Sequence, residues 1–272
     1  MKVAYLGPAG TFGEAAALQY APDAELLPLP SHAGVAAAVA SHMADEAVLP
    51  VENSVEGSVN ETLDILIHDS DLRIRAELVV AIEQCLLVRP GMAPADVRVI
   101  YSHPQALGQC RGFIERCFPK ARLEASLSTA AAVQEIFAHD DAAAIASARA
   151  AELHGAAILA RGIGDRRSNV TRFVVLAAAD ALPTGHDKTS LAFTTRHDRP
   201  GTLVGILNEL ADRGVNMTKI ESRPSKDALG VYVFLVDFEG HRAEPKIAET
   251  IEAIRAQANW LKVFGSFPRY AE

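Results

Sequence analysis

Small polar side chains stand where predicted strands of this sequence give way to predicted helices. Five such junctions occur, in the segments AYLGPAGT, LPVENSVEGS, VIYSHPQ, LEASLST and AIASA. A helix N-terminus offers unpaired backbone N–H groups and about half a positive charge, so it attracts anions. In an open α/β sheet the carboxyl ends of the strands line the ligand crevice. The pattern predicts a site for a small anion, although Ser, Thr and Asn at each junction are also ordinary helix caps.

A second group of candidate residues surrounds Thr171, at the start of the predicted apolar strand 172–178. Four arginines fall within twelve residues of an otherwise acidic chain: Arg161, Arg166, Arg167 and Arg172. Arginine binds a carboxylate through two parallel hydrogen bonds, so Arg172 is a candidate carboxylate ligand. The alternatives are a solvated loop for Arg166 and Arg167, an Arg172 side chain that points away along the strand, and a Thr171 hydroxyl that satisfies its own backbone.

Other patterns of chemically active residues are incomplete in this sequence. Gly7, Gly10 and Gly13 have the spacing GxxGxxG rather than the GxGxxG of dinucleotide-binding folds, and they are better explained as close backbone turns around a small ligand. No HExxH pair occurs, and the cysteines show neither a zinc-ligand spacing nor a CxxC pair. We therefore predict no metal site and no cofactor, and we expect reduced, structural cysteines.

Charge and hydropathy exclude two classes of partner. A net charge of −8 and a pI near 5.6 argue against a nucleic-acid binder, which needs a basic face to neutralise phosphates. No stretch approaches the ~20 apolar residues of a membrane span. The apolar run in MKVAYLGPAG is too short for a signal peptide. These features predict a cytoplasmic protein with no membrane partner.

The first region, residues 1–180, alternates short apolar strands with alanine-rich helices, which is typical of an α/β fold. Its predicted strands cover 2–6, 47–51, 72–80, 84–89, 97–101, 122–126, 143–146 and 172–178. Its predicted helices cover 12–20, 32–42, 59–68, 105–116, 129–138 and 147–153. A region of this length has room for two small lobes, and the sequence leaves open which strands belong to each.

The composition changes sharply at DALPTGHDK, and we predict a linker over 181–188. The elements expected beyond it are strand 189–196, helix 200–213, strand 215–222, strand 230–238, helix 244–258 and strand 260–266. This βαββαβ order predicts a ferredoxin-like sandwich, with two helices on one face of a four-stranded antiparallel sheet, over residues 189–268.

Several motifs, taken together and in order, resemble the prephenate dehydratase family. They are GPAGTFGEAA, LPVENSVEGSVNETLD, YSHPQALGQCRGF, STAAAVQ, AAIAS and SNVTRF, followed by RPGTLVGIL and NMTKIESRP of an ACT regulatory domain. The resemblance covers nearly the whole chain. It implies a catalytic domain of two α/β lobes, similar to a type 2 periplasmic binding protein, with substrate between the lobes, followed by an α+β ferredoxin-like ACT domain.

The resemblance also implies a function and a set of site residues. The function is that of a hydro-lyase converting prephenate to phenylpyruvate in L-phenylalanine biosynthesis. The implied catalytic residues are Thr171, Asn53, Gln109, Ser102 and Glu52. The implied substrate-binding residues are Arg172, Thr11, Ser168, Asn169 and Phe173. Leu127 stands where relatives can carry a glutamate, so the resemblance does not support an acid at that position.

The ACT domain implies feedback control by L-phenylalanine and assembly into a homodimer or homotetramer. The implied effector-binding residues are Gly201, Thr202, Leu203, Asn216, Met217 and Glu221. The absence of a chorismate mutase segment in the sequence predicts a monofunctional chain. Three alternatives stay open: arogenate dehydratase, a prephenate decarboxylase that does not dehydrate, and a non-catalytic sensor of a small anion.

Overall fold

The computed structural model of the chain describes residues 1–166, 168–197, 199–226 and 230–270. It forms two compact units. One unit contains Met1–Thr62 and Leu78–Phe173, and the other contains Leu63–Glu77 and the chain from Val174 onward. The segment 63–77 therefore packs in the same unit as the C-terminal region, although it lies early in the chain.

The elements alternate as the sequence predicted. The strands are β1 (Lys2–Leu6), β2 (Glu25–Leu29), β3 (Glu46–Asn53), β4 (Gly57–Ser58), β5 (Arg73–Ala81), β6 (Cys85–Val88), β7 (Val99–Ser102), β8 (Arg122–Ala125), β9 (Ala142–Ala146), β10 (Ala157–Ala160), β11 (Val170–Ala177), β12 (Asp187–Thr195), β13 (Met217–Pro224), β14 (Tyr232–Glu239) and β15 (Ala258–Pro268). The α-helices are α1 (Phe12–Tyr20), α2 (His32–Ala40), α3 (Asn60–Asp64), α4 (Pro104–Gln109), α5 (Arg111–Cys117), α6 (Thr129–Ala138), α7 (Ala148–His154), α8 (Thr202–Ala211) and α9 (Pro245–Gln257). A π-helical turn continues α3 over Ile65–Asp69, and a 3₁₀ turn covers Pro94–Asp96.

The first region contains two sheets, one in each lobe. The first lobe has the order β2-β1-β3-β11-β5, with the short β4 paired to β3. The second lobe has the order β10-β6-β9-β7-β8. Strand β6 shows why the second sheet is covered on both sides: Leu86 and Val88 belong to one apolar cluster, and Cys85 and Leu87 belong to another. Successive side chains of a strand point to opposite faces, so an uninterrupted apolar strand needs helices on both.

Short hydroxyl side chains start the helices of both lobes. Ser31, Ser128 and Ser147 each accept a hydrogen bond from a backbone N–H in the first turn, at 3.1, 2.9 and 3.0 Å. Thr11 does the same for α1, accepting from Glu14 N at 3.4 Å. These caps satisfy N–H groups that have no partner within the helix.

The C-terminal sheet has the order β13-β14-β12-β15, and its three strand pairs are antiparallel. Its core is formed by apolar residues of the strands together with Ile206 and Leu210 of α8 and Ile247, Ile251 and Ile254 of α9. Both helices therefore place one apolar stripe on the sheet. The predicted fold class, a two-lobed α/β region followed by an α+β ferredoxin-like domain, is confirmed.

Several local predictions differ from the structure. Strand β2 lies in a segment with no predicted strand; it contains Pro28 and lies at a sheet edge, where proline is tolerated. Strand β10 was missed as well. The helix predicted over 105–116 is two helices, because Cys110 has non-helical backbone angles (φ −111°, ψ 13°). Strand β12 begins at Asp187, inside the predicted linker.

Candidate active site

A cleft of about 580 Å³ opens in the first unit and is lined from both lobes. Its walls are formed by Leu6, Gly7, Thr11, Phe12, Gly13, Pro30, His32, Pro50, Asn53, Val59, Glu61, Ile82, Gln84, His103, Gln105, Ala106, Gln109, Leu127, Ser128, Thr129, Thr171 and Phe173. Four of the five predicted junctions contribute to this lining. The strand ends thus converge on one site, as the α/β pattern implied.

Helix N-termini supply the positive potential of this cleft. Thr11 and Phe12 bring the start of α1 to its wall, and Ser128 and Thr129 bring the start of α6 from the other lobe. No lysine or arginine within the described ranges lines the cleft. Backbone N–H groups, rather than cationic side chains, are therefore the groups available there for an anion.

The fifth junction anchors the first loop. Ser147 Oγ donates to Gly10 O at 2.7 Å, and Gly10 N donates to Glu14 Oε2 at 2.7 Å. Both hydrogen bonds are buried. The loop that carries Thr11 is thus held on both sides, by α1 of its own lobe and by α7 of the second lobe.

Thr171 lies at the centre of a buried amide network. Asn53 Nδ2 donates to Thr171 Oγ1 at 2.9 Å and to Asn169 Oδ1 at 2.7 Å. Because the Thr171 oxygen accepts this bond, its own hydrogen is left for another acceptor. Thr171 also lines the cleft, so that acceptor can be a bound ligand.

The orientation of the Asn53 amide follows from its other contacts. Its Oδ1 accepts hydrogen bonds from the backbone N–H groups of Val55 and Glu56, at 2.9 and 3.0 Å. Since two donors occupy the oxygen, the nitrogen must face Thr171 and Asn169. The turn after β3 therefore fixes the side chain that orients Thr171.

Gln109, at the end of α4, extends the network to the second lobe. Its Oε1 accepts from Asn169 Nδ2 at 3.1 Å, and its Nε2 donates to Glu56 Oε1 at 3.3 Å. Gln109 and Asn169 also line a smaller neighbouring pocket with Arg166. The structure thus brings together the predicted residues Asn53, Gln109, Asn169 and Thr171, with Thr11 and Phe173 in the same cleft wall.

Three predicted site residues are not among the residues that line the cleft, and strand geometry explains two of them. Arg172 and Glu52 neighbour cleft residues in sequence, but alternate residues of a strand face opposite sides. They form an ion pair, with Arg172 Nη2 3.2 Å from Glu52 Oε2, and neither is among the lining residues. Ser102 is fully buried and donates to Ile145 O at 2.6 Å. This placement differs from the predicted roles of all three residues at the cleft.

Ser168 takes part through its backbone, since its carbonyl accepts from Ser54 Oγ at 3.1 Å. This bond helps to hold the chain entering β11. Its side chain is not among the groups that line the cleft. Arg167 lies outside the described residues.

Two titratable residues in the lining, His32 and Glu61, were not predicted as site residues. His32 is the first residue of α2, and its Nε2 is buried with no hydrogen-bond partner among the described residues. Burial lowers the pKa of His32, and the nearby Glu61 carboxylate partly opposes this. The missing signal was strand β2: once β2 is recognised, Ser31 and His32 form a further strand-to-helix junction.

Leu127 also lines the cleft, and its apolar side chain is 98% exposed.

The predicted effector residues lie in the C-terminal unit. Gly201 caps α8 in a left-handed conformation (φ +88°), Thr202 begins the helix, and Leu203 packs against the core. Beyond the C-terminus of α8, just before β13, Asn216 Nδ2 donates to Glu239 Oε1 at 3.1 Å. Met217, the first residue of β13, is 36% exposed. Glu221 lies 3.2 Å from Lys219 Nζ.

Within the described ranges, no helix is both long and apolar enough to cross a membrane. No group of three or more His, Cys, Asp or Glu side chains in these ranges is arranged to hold a metal ion.

The fold and the cleft together define a two-lobed α/β protein with a ferredoxin-like C-terminal domain. The family model of prephenate dehydratase matches residues 3–181, and that of the ACT domain matches residues 189–256. The chain belongs to the prephenate dehydratase family.

Individual proteins and solved structures are similar to this chain over nearly its whole length. The chain is 41% identical over 270 residues to the bifunctional chorismate mutase/prephenate dehydratase of Aquifex aeolicus, covering 99% of this chain and 74% of that protein. The structure of prephenate dehydratase from Arthrobacter aurescens in complex with L-Phe has a TM-score of 0.90 and 38% identity, covering 99% of this chain and 90% of that chain. The quorum-quenching acylase GqqA has a TM-score of 0.88 and 32% identity, covering 99% and 98%.

Proposed function

We propose that this protein is a prephenate dehydratase, which converts prephenate to phenylpyruvate with loss of CO2 and water. The observation that carries the proposal is the Thr171 hydroxyl, which accepts from Asn53 Nδ2 and has its hydrogen free to donate into the cleft. Family membership and the similarity to the A. aeolicus and A. aurescens proteins support the same reaction.

The chemistry requires little more than help for a departing oxygen. Prephenate is a dicarboxylate whose ring becomes aromatic when the ring carboxylate leaves as CO2 and the ring hydroxyl leaves as water. Thr171 donates a hydrogen bond to the leaving hydroxyl, the proton that completes water passes along this bond, and a proton from solvent restores the Thr171 hydroxyl. A positioned proton donor contributes on the order of 10²- to 10⁴-fold to the rate.

Threonine is a weak acid, so the surrounding dipoles must stabilise the charge that develops on its oxygen. Asn53 Nδ2 donates directly to that oxygen at 2.9 Å. The orientation of this donor is set before substrate arrives, because the Asn53 carbonyl is already bonded to two backbone N–H groups. Preorganised donors of this kind need no rearrangement during the reaction.

The two carboxylates of the substrate are held by the N-termini of α1 and α6. These helices approach the cleft from different lobes, with capping residues Thr11 and Ser128 in the lining. A dianion placed between them contacts positive helix ends on both sides. Arg172, paired with Glu52, supports the strand that carries Thr171 rather than contacting the substrate.

The first experiment is to mix purified protein with prephenate at neutral pH and follow phenylpyruvate. Rapid product formation that Thr171→Ala loses, with an unchanged circular dichroism spectrum, is the expected result. Folded protein that forms no phenylpyruvate would overturn the assignment. Near-normal turnover by Thr171→Ala would remove Thr171 from the mechanism.

We further propose that residues 1–180 form the catalytic domain, 181–188 the linker and 189–268 an ACT domain that binds L-phenylalanine. Gly201, Thr202, Leu203, Asn216, Met217 and Glu221 would form the effector site in a homodimer or homotetramer. The A. aurescens protein was solved with L-Phe. Exposed apolar residues of β13, Met217 and Ile220, are available for subunit pairing. Sedimentation and kinetics with and without L-phenylalanine test this; no change in either would leave the domain without a regulatory role.

The similarity to GqqA raises acyl-transfer chemistry as a comparison. A hydroxyl nucleophile for acyl transfer needs an adjacent general base. The described partner of Thr171 is the Asn53 amide, which cannot take a proton in this way. Dehydration therefore fits the cleft better, and an assay with an N-acyl homoserine lactone alongside prephenate separates the two.

We also propose a cytoplasmic location for the protein, which fits the reduced cysteines expected of the chain.

A further inference from the structure

Glu61 is the one carboxylate among the described lining residues of the cleft. It lies in the first turn of α3, and the residue is exposed. Since no lysine or arginine of the described chain lines the same cleft, the negative charge has no cationic counterpart there. A carboxylate in a site for a dianion is unfavourable unless the ligand also carries a positive group.

His32 lines the same cleft. Its Nε2 is buried and has no partner among the described residues, and the Glu61 carboxylate is near enough to oppose in part the burial that lowers the pKa of His32. A neutral imidazole has one donor and one acceptor nitrogen, and either tautomer can place the required one at Nε2. The unpartnered nitrogen has the capacity to donate to a keto oxygen or to accept from an ammonium group.

The geometry points to Glu61 and His32 as the residues that recognise the substituent on the side-chain carbon of the substrate, with Glu61 conferring activity on the 2-amino analogue arogenate. This inference rests on the proposed dehydratase function. Prephenate carries a keto group at that carbon and arogenate an ammonium group, while both carry two carboxylates. With the carboxylates at the helix N-termini, the third substituent is the group left to meet Glu61 and His32.

The two residues have different roles in this arrangement. Glu61 forms a charge-assisted hydrogen bond with an ammonium group but offers nothing to a keto oxygen. His32 can bond either group, so it contributes to both substrates. Glu61 is thus the discriminating residue, and His32 is a common contact.

The test compares kcat/KM for prephenate and arogenate in the unchanged protein, Glu61→Gln and His32→Leu. We expect Glu61→Gln to lower kcat/KM for arogenate about fivefold to tenfold, as befits a partly solvated ion pair, and to maintain or raise that for prephenate. His32→Leu is expected to lower both to a similar extent. Glu25→Gln is the matched control, because it removes the same charge from an exposed side chain paired with Lys2 on the first lobe.

The outcomes separate this inference from the proposed function. No turnover of arogenate by the unchanged protein, or an equal effect of Glu61→Gln on both substrates, overturns the role of Glu61 while prephenate turnover still supports a dehydratase. Turnover of arogenate alone, lost in Glu61→Gln, supports Glu61 and overturns prephenate as the substrate. If neither is turned over, calorimetric dissociation constants for both compounds, with and without Glu61→Gln, decide the recognition question alone.

Discussion

Asn53 Nδ2 lies 2.9 Å from Thr171 Oγ1, although the two residues are separated by 118 positions in the chain. Both are buried, at 8% exposure each, and both face the cleft. The contact joins the end of β3 to the start of β11. Because the Thr171 oxygen accepts a hydrogen bond from Asn53, the hydroxyl hydrogen can be donated to a ligand in the cleft.

The first prediction concerns the Thr171 hydroxyl. Thr171→Val keeps the shape of the side chain and removes the donor, so we expect kcat to fall by about 10²- to 10⁴-fold. Thr171→Ser keeps the hydroxyl and should retain most of the activity. Steady-state kinetics with prephenate provide the measurement, and equal rates for the Val and Ser variants would contradict the role of the hydroxyl.

A second prediction separates the two functions of Asn53. Asn53→Asp keeps an oxygen for the N–H groups of Val55 and Glu56 but cannot donate to Thr171 or Asn169. We expect kcat to fall at least ~100-fold, the scale of a lost preorganised donor. Asn53→Ala should add a loss of stability, because the turn after β3 also loses its acceptor. If Asn53→Asp is fully active, the amide does not orient Thr171.

Gly13 tests how closely the backbone approaches at the start of α1. A Cβ on Gly13 would lie 2.6 Å from Leu6 O, which is too close for any real contact. Gly13→Ala must therefore shift either the helix or strand β1, and we expect a loss of roughly 1–3 kcal/mol in the free energy of unfolding. Gly108→Ala, with nothing within 4 Å of the added atom, is the control. Urea unfolding of both variants provides the measurement. Equal stabilities would show that the backbone at the start of α1 can shift at little cost in free energy.

Asp64 is the last residue of the short helix whose first turn lines the cleft. At one end of α3, Glu61 lines the cleft; at the other, Asp64 Oδ1 accepts from Arg223 Nη2 of β13 at 3.0 Å and Oδ2 from Lys226 Nζ at 2.6 Å. Asp64→Asn should weaken these ion pairs. If α3 transmits the proposed response to L-phenylalanine, the coupling free energy should fall by up to the ~1–3 kcal/mol typical of allosteric coupling, with little change in the basal rate. An unchanged response would exclude α3 as the route.

Asp187 makes stability depend on pH. Burial alone would raise its pKa, but hydrogen bonds from the Thr184 hydroxyl and from the N–H groups of Thr184 and Gly185 outweigh it, and the folded pKa is lowered. The stabilisation is therefore fully present above the unfolded pKa of about 3.9 and is lost as pH falls through the lower folded value. We expect Asp187→Asn to be less stable than the unchanged chain at pH 7, with a difference that shrinks in acid. A difference independent of pH would mean that the charge of Asp187 is not the source.

Local patterns in the sequence were sufficient for the elements and the fold class. Alternating apolar strands and capped helices, followed by βαββαβ, depend on periodicity and capping, which act within a few residues. Strand β2 contains Pro28, which is tolerated in a strand only at a sheet edge, so its place in the sheet is what the sequence did not show. The break between α4 and α5 at Cys110 was not predicted either.

The motifs identified the candidate residues but not their directions. Thr171 and Arg172 are adjacent, and so are Asn53 and Glu52, yet one of each pair faces the cleft while the other two form an ion pair away from it. Register in the sheet decides this, because one position along a strand reverses the side chain. Ser102 shows the same dependence, since its hydroxyl is committed to Ile145 O in the interior.

The sequence by itself determined which residue types are available, where the chain turns, and which family the motifs resemble. Only the tertiary structure decided that Asn53, Gln109, Asn169 and Thr171 meet, and that Glu61 and His32 share their cleft. The physical reason is that these hydrogen bonds join residues far apart in the sequence. They depend on the order of the strands in the sheet, which loop closure and packing of the whole lobe establish together.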